Sequence, residues 1–362
     1  HAMNYGSWAG WDWLKANVPV MCNWDGGIDY FLDPDDYTKK ADGTNSDAAN
    51  IDYAGDAMAI VKKIYKKEYK VGNDRYVYFC ERKVDDDFHA VGFNVLGKER
   101  DYMLIPMFYG SIDSNGKMRS IAGQWSCLTA SGSAADSANG KAIGTAEQYT
   151  AIQAASGKAL FFGGALTNTL ADICILLSKS TDSQTAFGSG MCSTYVEDKA
   201  QHYGTKINTV IGGGQFYGSN DNKSFNKIFH SCVMGSYMLW QRDPYMLLIN
   251  GRIKVSPDYT YDLTGAKYLD TGVNLAKNGY YATTQVVKDF GAVPNDEIAC
   301  SSATGYCDHT WVNAEIPAVS LRFGNCAYGA SDGLWARALN NVAAHAWWTY
   351  GASKLLPAPA AA

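Results

Sequence analysis

The residues able to do chemistry are present but badly spaced for it. Of the six histidines, His89, His202, His230, His309 and His345 lie beyond the His1-Ala2-Met3 start and share no HxH, HExxH or HxxxH spacing. A zinc site needs clustered N and S donors, so none is expected. Cys307-Asp308-His309 sets a thiol, a carboxylate and an imidazole side by side. Adjacent side chains diverge along an extended chain, so this run predicts a loop with a partly exposed His, not a nucleophile–base dyad. No GxSxG marks a serine nucleophile. Gly212-Gly213-Gly214 is not followed by the GK[ST] of a phosphate loop. Asp33, Asp35, Asp36 and Asp42 lack the spacing and closing Glu of an EF-hand and read as turns. No catalytic residue, metal or cofactor is expected.

Binding chemistry concentrates instead in Leu321 to Leu356, LRFGNCAYGASDGLWARALNNVAAHAWWTYGASKLL. Strand-like LRFGN opens this stretch and strand-like GASKLL closes it. The residues between follow no period of 2 or 3.6. Such a segment predicts an ordered loop system held by a scaffold, where binding function tends to sit. Between 323 and 350 its only formal charges are Asp332 and Arg337, and Lys, Glu, Gln and Met are absent. Trp335 and at least one of Trp347 and Trp348 are expected in the core. Tyr328, His345, Thr349 and Tyr350 are expected on a contact surface.

The elements that must position this stretch are β-rich. VKKIYKKEYKV and RYVYFCERKV flank Gly72-Asn73-Asp74 as a hairpin. A second strand pair is expected from YMLIPMFYGSI and KMRSIAG across Asp113-Ser114-Asn115-Gly116. One helix starts at Thr145 and runs to about Ala155. Another spans Leu166 to Ser180, with Leu166, Leu170, Ile173, Cys174 and Leu177 at helical spacing against a sheet. Residues 129–143 read as an exposed Ser/Ala/Gly loop. From Thr205 the pattern returns to β, with two or three strands in 228–256, then loops and short strands over 256–300. Trp11, Trp13 and Trp24 are expected to plug a core.

Composition bounds the partners. The 362 residues are 47% hydrophobic and 19% charged, a globular balance with room for a large core. A net charge of -5 without a long basic run disfavours nucleic acid. The nine cysteines are dispersed, with no CxxC, and read mostly as small buried hydrophobes such as Cys80 and Cys174 folded in a reducing cytosol. A Cys300–Cys307 bridge stays open. No signal peptide or membrane-spanning run is found, and His1-Ala2-Met3 reads as a cloning remnant.

RFGN, GLWARALNN and AHAWWTYGAS, in that order, resemble the C-terminal variable region of proteins diversified by diversity-generating retroelements. Gly333-Leu334-Trp335, Asn340-Asn341 and Gly351-Ala352 carry the match. The family's Gly-Gly is here Gly324-Asn325. CNWDGGIDYFLDPDDYTKKADGT and IFHSCVMGSYMLWQRD resemble modules of phage tail fibres and adhesins, so the likeness runs from about Val18 to the end. It implies an α+β C-type lectin fold of the formylglycine-generating-enzyme type: a small twisted, mostly antiparallel sheet with two helices and many ordered loops. It divides the chain into an N-terminal remnant and lead-in (1–17), a lectin-fold domain (18–356) with its variable region at 321–356, and a tail (357–362).

The resemblance implies a non-enzymatic receptor-binding protein on a phage tail or microbial surface. Its partner would be a host-surface protein or glycan, with a homotrimer or virion tail components as assembly partners by analogy. Diversified codons of AAC type cannot encode Lys, Glu, Gln, Met or Trp, which agrees with the first four being absent. The implied variable positions are Asn325, Cys326, Ala327, Tyr328, Ala330, Asp332, Ala336, Ala338, His345, Thr349 and Tyr350. The implied scaffold is Gly333, Leu334, Trp335, Asn340, Asn341, Trp347, Gly351 and Ala352, with the Asn side chains satisfying loop backbone groups. The enzyme of this fold holds copper with a cysteine pair; Cys326 stands alone near this frame. Two alternatives remain beside this reading: an enzyme on the same fold (copper oxidase or sugar-active hydrolase), or an undiversified structural virion protein.

Overall fold

In the computed structural model the described residues are 6–124, 126, 143–194, 212, 214–221, 224–276, 281–300 and 305–359. The Ser/Ala/Gly stretch at 129–143 lies outside them apart from Ile143, as do His202 and most of 205–213.

The first part of the chain supplies α1 (Asp12–Lys15), β1 (Pro19–Asn23), β2 (Ile28–Phe31) and β3 (Gly55–Lys62). The expected hairpin is β4 (Tyr65–Val71) with β5 (Asp74–Cys80). Then come β6 (Asn94–Val95), β7 (Lys98–Glu99), β8 (Tyr102–Pro106), β9 (Ser111–Ile112) and β10 (Met118–Arg119). The middle holds α2 (Thr145–Ala155), β11 (Leu160–Phe161), α3 (Gly164–Ser178), α4 (Ser183–Phe187) and α5 (Cys232–Gly235). Long strands follow: β12 (Trp240–Ile249), β13 (Arg252–Val255), β14 (Leu269–Asn274), β15 (Tyr281–Val287) and β16 (Gly291–Cys300). The chain closes with β17 (Thr310–Val312), β18 (Ala318–Arg322), β19 (Arg337–Leu339), β20 (Tyr350–Gly351) and β21 (Lys354–Pro357).

The architecture is mixed α/β, mostly sheet with few helices. Of the helices described, α2 and α3 exceed two turns. The described strands make two large sheets where the resemblance implies one small one. The first runs β11-β21-β8-β3-β1-β2 and the second β14-β13-β12-β18-β19-β17, with β20 beside β12. Among the described strands, pairing is antiparallel except for β12–β20 and β17–β19.

Two local expectations change. Only β9 and β10 form the second predicted strand pair. Tyr102–Pro106 instead lies between β3 and β21, because its apolar run needs cover on both sides. Residues 256–300 contain a long hairpin, β15–β16, with seven paired positions. Dense Gly and Asp turn signals hide its alternation in the sequence.

The domain boundaries at 18 and 356 fall inside continuous packing. Trp13 and Leu14 are buried in the main core, and Asn17 Nδ2 donates to Ile60 O at 2.8 Å. Beyond β21, Ala358 N–H donates to Tyr102 O at 3.0 Å. Cys307 is buried and in no disulfide, which leaves no Cys300–Cys307 bridge; Cys80 is half-buried and Cys174 buried. Among the described residues, no helix is long and apolar enough to cross a membrane.

Candidate functional site

The 321–356 stretch joins the two sheets. It leaves β18, returns through β19 and β20 in the second sheet, and ends as β21 in the first, where Leu355 pairs Leu160 and Leu356 pairs Leu104. Strand alternation then separates its side chains into two populations.

The inward population is locked by buried charge. Arg337 Nη1 donates to Asp243 Oδ2 at 2.9 Å and its Nη2 to Asn168 Oδ1 at 2.8 Å. Arg322 Nη1 lies 3.6 Å from the same Asp243 oxygen and donates to Asn168 and Thr167. The other Asp243 oxygen accepts Gly164 N–H at 2.8 Å, at the start of α3, where a negative charge is favoured. One carboxylate thus ties α3, β12, β18 and β19 together with all three charged side chains buried. Removing one member of such a buried set costs roughly 3–5 kcal/mol.

The loop between β18 and β19 is pinned by two buried acids. Asp332 accepts Asn325 N–H at 3.3 Å and sits where a Cβ of Gly324 would stand; Gly324 has φ 98°. Asp308 accepts Trp335 N–H at 2.7 Å and occupies the corresponding space at Gly333. Ser183 Oγ accepts Leu334 N–H at 3.2 Å, and the Trp335 ring lies 4.3 Å from that of Tyr306. Burial pushes both carboxyls well above the ordinary range. The Gly-Leu-Trp frame therefore has a cause in contacts: no side chain at 333, a core leucine at 334, and a ring at 335 packed beside Tyr306.

The outward population forms a different surface. Ala336, Ala338, Leu321 and Trp240 make a small apolar cluster separate from the main core, with Trp311 and Tyr350 packed against it. Tyr328, 45% exposed, lies 4.8 Å from Trp311 and 6.0 Å from Trp240 between ring centroids. His309 adds a ring 4.4 Å from Trp311. On the adjoining loop, Asn341 Oδ1 accepts the Tyr350 hydroxyl at 3.0 Å and meets His345 Nδ1 at 2.8 Å, so Nδ1 carries the proton there. Burial and nearby Arg242 lower the His345 pKa, and burial lowers that of His309, so both rings are neutral at pH 7.

The eleven implied variable positions divide unevenly. Ala327, Tyr328, Ala330 and His345 are exposed and Tyr350 is half-buried. Asn325, Cys326, Asp332, Ala336, Ala338 and Thr349 are buried. Asn325, Cys326 and Asp332 are drawn inward by the folded loop, where Cys326 N–H donates to Met238 O. Burial, then Asp332, pushes the Cys326 thiol up to about 12, which leaves it unreactive at neutral pH. Thr349 follows core residue Trp348 and does not face a ligand as expected. Ala336 and Ala338 form the floor beneath the outer rings.

The scaffold positions are corrected in two places. Trp348, not Trp347, is the core tryptophan: it is 5% exposed and Trp347 37%. The Asn340 and Asn341 side chains bond each other and then His345 and Tyr350, while main-chain partners hold Asn341 O and Leu339 O. Gly351, Leu334 and Ala352 are buried as frame. Sequence reading missed Trp240, His309 and Trp311, which belong to this surface but come from β12, the residue before β17 and β17 itself. Only the alternation in CDHTWVN signals the last two.

Among the described residues, no group of three or more His, Cys, Asp or Glu is placed to hold a metal ion. No protein-family model matches the chain. No curated protein matches it either.

Proposed function

We propose that this chain is a non-enzymatic ligand-binding protein with a C-type lectin fold, carried on a phage tail or microbial surface. Its outer face at 327–350 would be diversified by a retroelement to meet variable host-surface ligands. The observation that carries this reading is the division at β19. Arg337 points into a buried ion cluster, while Ala336 and Ala338 lie in a separate buried cluster beneath Trp311 and Tyr350. Both formal charges of the segment, Asp332 and Arg337, are buried in the frame. Ala327, Tyr328, Ala330 and His345 are exposed beside it. A scaffold held by contacts that its surface residues do not share can accept exchange of those residues at little cost in stability.

Sequencing the DNA around the gene tests this. The expected result is a near-copy of the segment encoding 321–356 beside a reverse transcriptase gene. Its mismatches would be confined to template adenines and concentrated in codons 327, 328, 330, 336, 338 and 345. A locus with no such copy ends the diversification reading.

A further inference from the structure

The outer face combines two kinds of residue. Tyr328 and His345 lie within 321–356, whereas His309 and Trp311 lie upstream of it. We propose that His309 and Trp311 form a fixed stacking shelf for an uncharged saccharide, and that the neighbouring positions 328 and 345 select which sugar is held. This rests on the ligand-binding reading above.

Three observations favour a neutral sugar over a protein partner or an anionic ligand. First, the exposed residues of 323–350 carry no formal charge, since Asp332 and Arg337 are both buried. The chain as a whole has 31 basic and 36 acidic residues, so an uncharged surface of this length matches a ligand without charge. Second, the face is built of rings with polar edges. Tyr328 and His345 are exposed and Trp311, His309 and Tyr350 half-buried, so ring faces and edges reach the surface together; Val342 and Trp347 are the other large exposed side chains of the segment. Pyranose C–H faces pack on the negative face of such rings, and sugar hydroxyls meet their edges. A protein hot spot instead centres on an anchor in a desolvated pocket. The larger described clefts, of about 870 and 280 Å³, lie along the β4–β5 hairpin rather than on this face.

Third, the shelf is held in place before any ligand arrives. His309 N–H donates to Ser331 O at 2.9 Å and His309 O accepts Arg337 N–H at 3.1 Å. Trp311 abuts Trp240 edge-on at 5.5 Å with an interplanar angle of 89°. A preorganised ring loses little freedom on binding.

The test uses the full chain against immobilised neutral oligosaccharides of hexoses and N-acetylhexosamines, with sialylated and sulfated counterparts alongside. Neutral glycans are expected to bind, with affinity unchanged by high salt or EDTA. Trp311→Ala should weaken every glycan bound, by about tenfold or more. Tyr328→Ala should weaken the preferred glycan about tenfold or change which glycan is preferred, with its melting temperature unchanged; this exposed position keeps the test valid should Trp311→Ala not fold. Preference for the charged glycans, binding to proteins alone, no glycan binding, or a Tyr328→Ala variant with unaltered glycan binding overturns the proposal. The DNA result is independent. A template without glycan binding overturns only the sugar shelf, and glycan binding without a template overturns only diversification.

Discussion

Gly333 and Asp308 occupy adjoining space that a side chain at 333 would fill, and Trp335 N–H donates to the same carboxylate at 2.7 Å. A residue 25 positions upstream therefore dictates the glycine of the Gly-Leu-Trp frame. Gly333→Ala should cost about 1–3 kcal/mol in urea unfolding, the range for forcing a methyl into filled space. In an Asp308→Gly background the same substitution should cost less, because the obstructing carboxylate is gone. Equal costs in both backgrounds would sink the steric account.

The adjacent tryptophans should behave differently. Trp348 is buried in the main core and Trp347 is exposed. Trp348→Ala should lower stability by about 3–5 kcal/mol, the range for deleting a buried aromatic. Trp347→Ala should stay within about 0.5 kcal/mol, as a surface change does. Thermal or denaturant unfolding of the two variants checks this directly, and a reversed order would invert the assignment of frame and surface at this turn.

Much of the scaffold was legible in the sequence because its signals are local. The β4–β5 hairpin follows from alternating β-formers around Gly72-Asn73, and α2 from a Thr145 start backed by Glu147, whose carboxylate accepts Gly144 N–H at 2.9 Å. The sheet assignments were less legible. Tyr102–Pro106 finds partners at Met58–Lys62 and Leu356–Pro357, and no local pattern encodes a strand from the far end of the chain. The same limit applies to the outer face. Its tyrosine at 328 lies in the aperiodic stretch, but the rings beside it come from Trp240 and Trp311, which only the fold brings together. Burial of Asp332 was illegible for a physical reason: a lone acid among Gly, Ala and Ser reads as solvent-facing, and only the missing side chain of Gly324 makes room for it.

A buried histidine away from the outer face should set part of the acid stability. His230 is buried, its Nδ1 lies 2.8 Å from the Tyr37 hydroxyl, and Lys227 is close by. Burial, then the Lys227 charge, lowers its pKa from 6.5 to about 3. Between these two values the unfolded chain binds a proton that the folded chain refuses. Stability is therefore lost as pH falls below 6.5, at up to about 1.4 kcal/mol per pH unit from this residue. Lys227 works in another window: burial lowers it from 10.5 to about 8, so its contribution rises with pH between those values and is flat below them. His230→Asn isolates the histidine, because His230 sits at φ 64° and Asn accepts that left-handed backbone. Urea unfolding at pH 6 and pH 5 should show the wild type losing about 1 kcal/mol more than the variant over that interval. Parallel losses in the two proteins would mean that His230 takes up its proton in the folded state as readily as in the unfolded one.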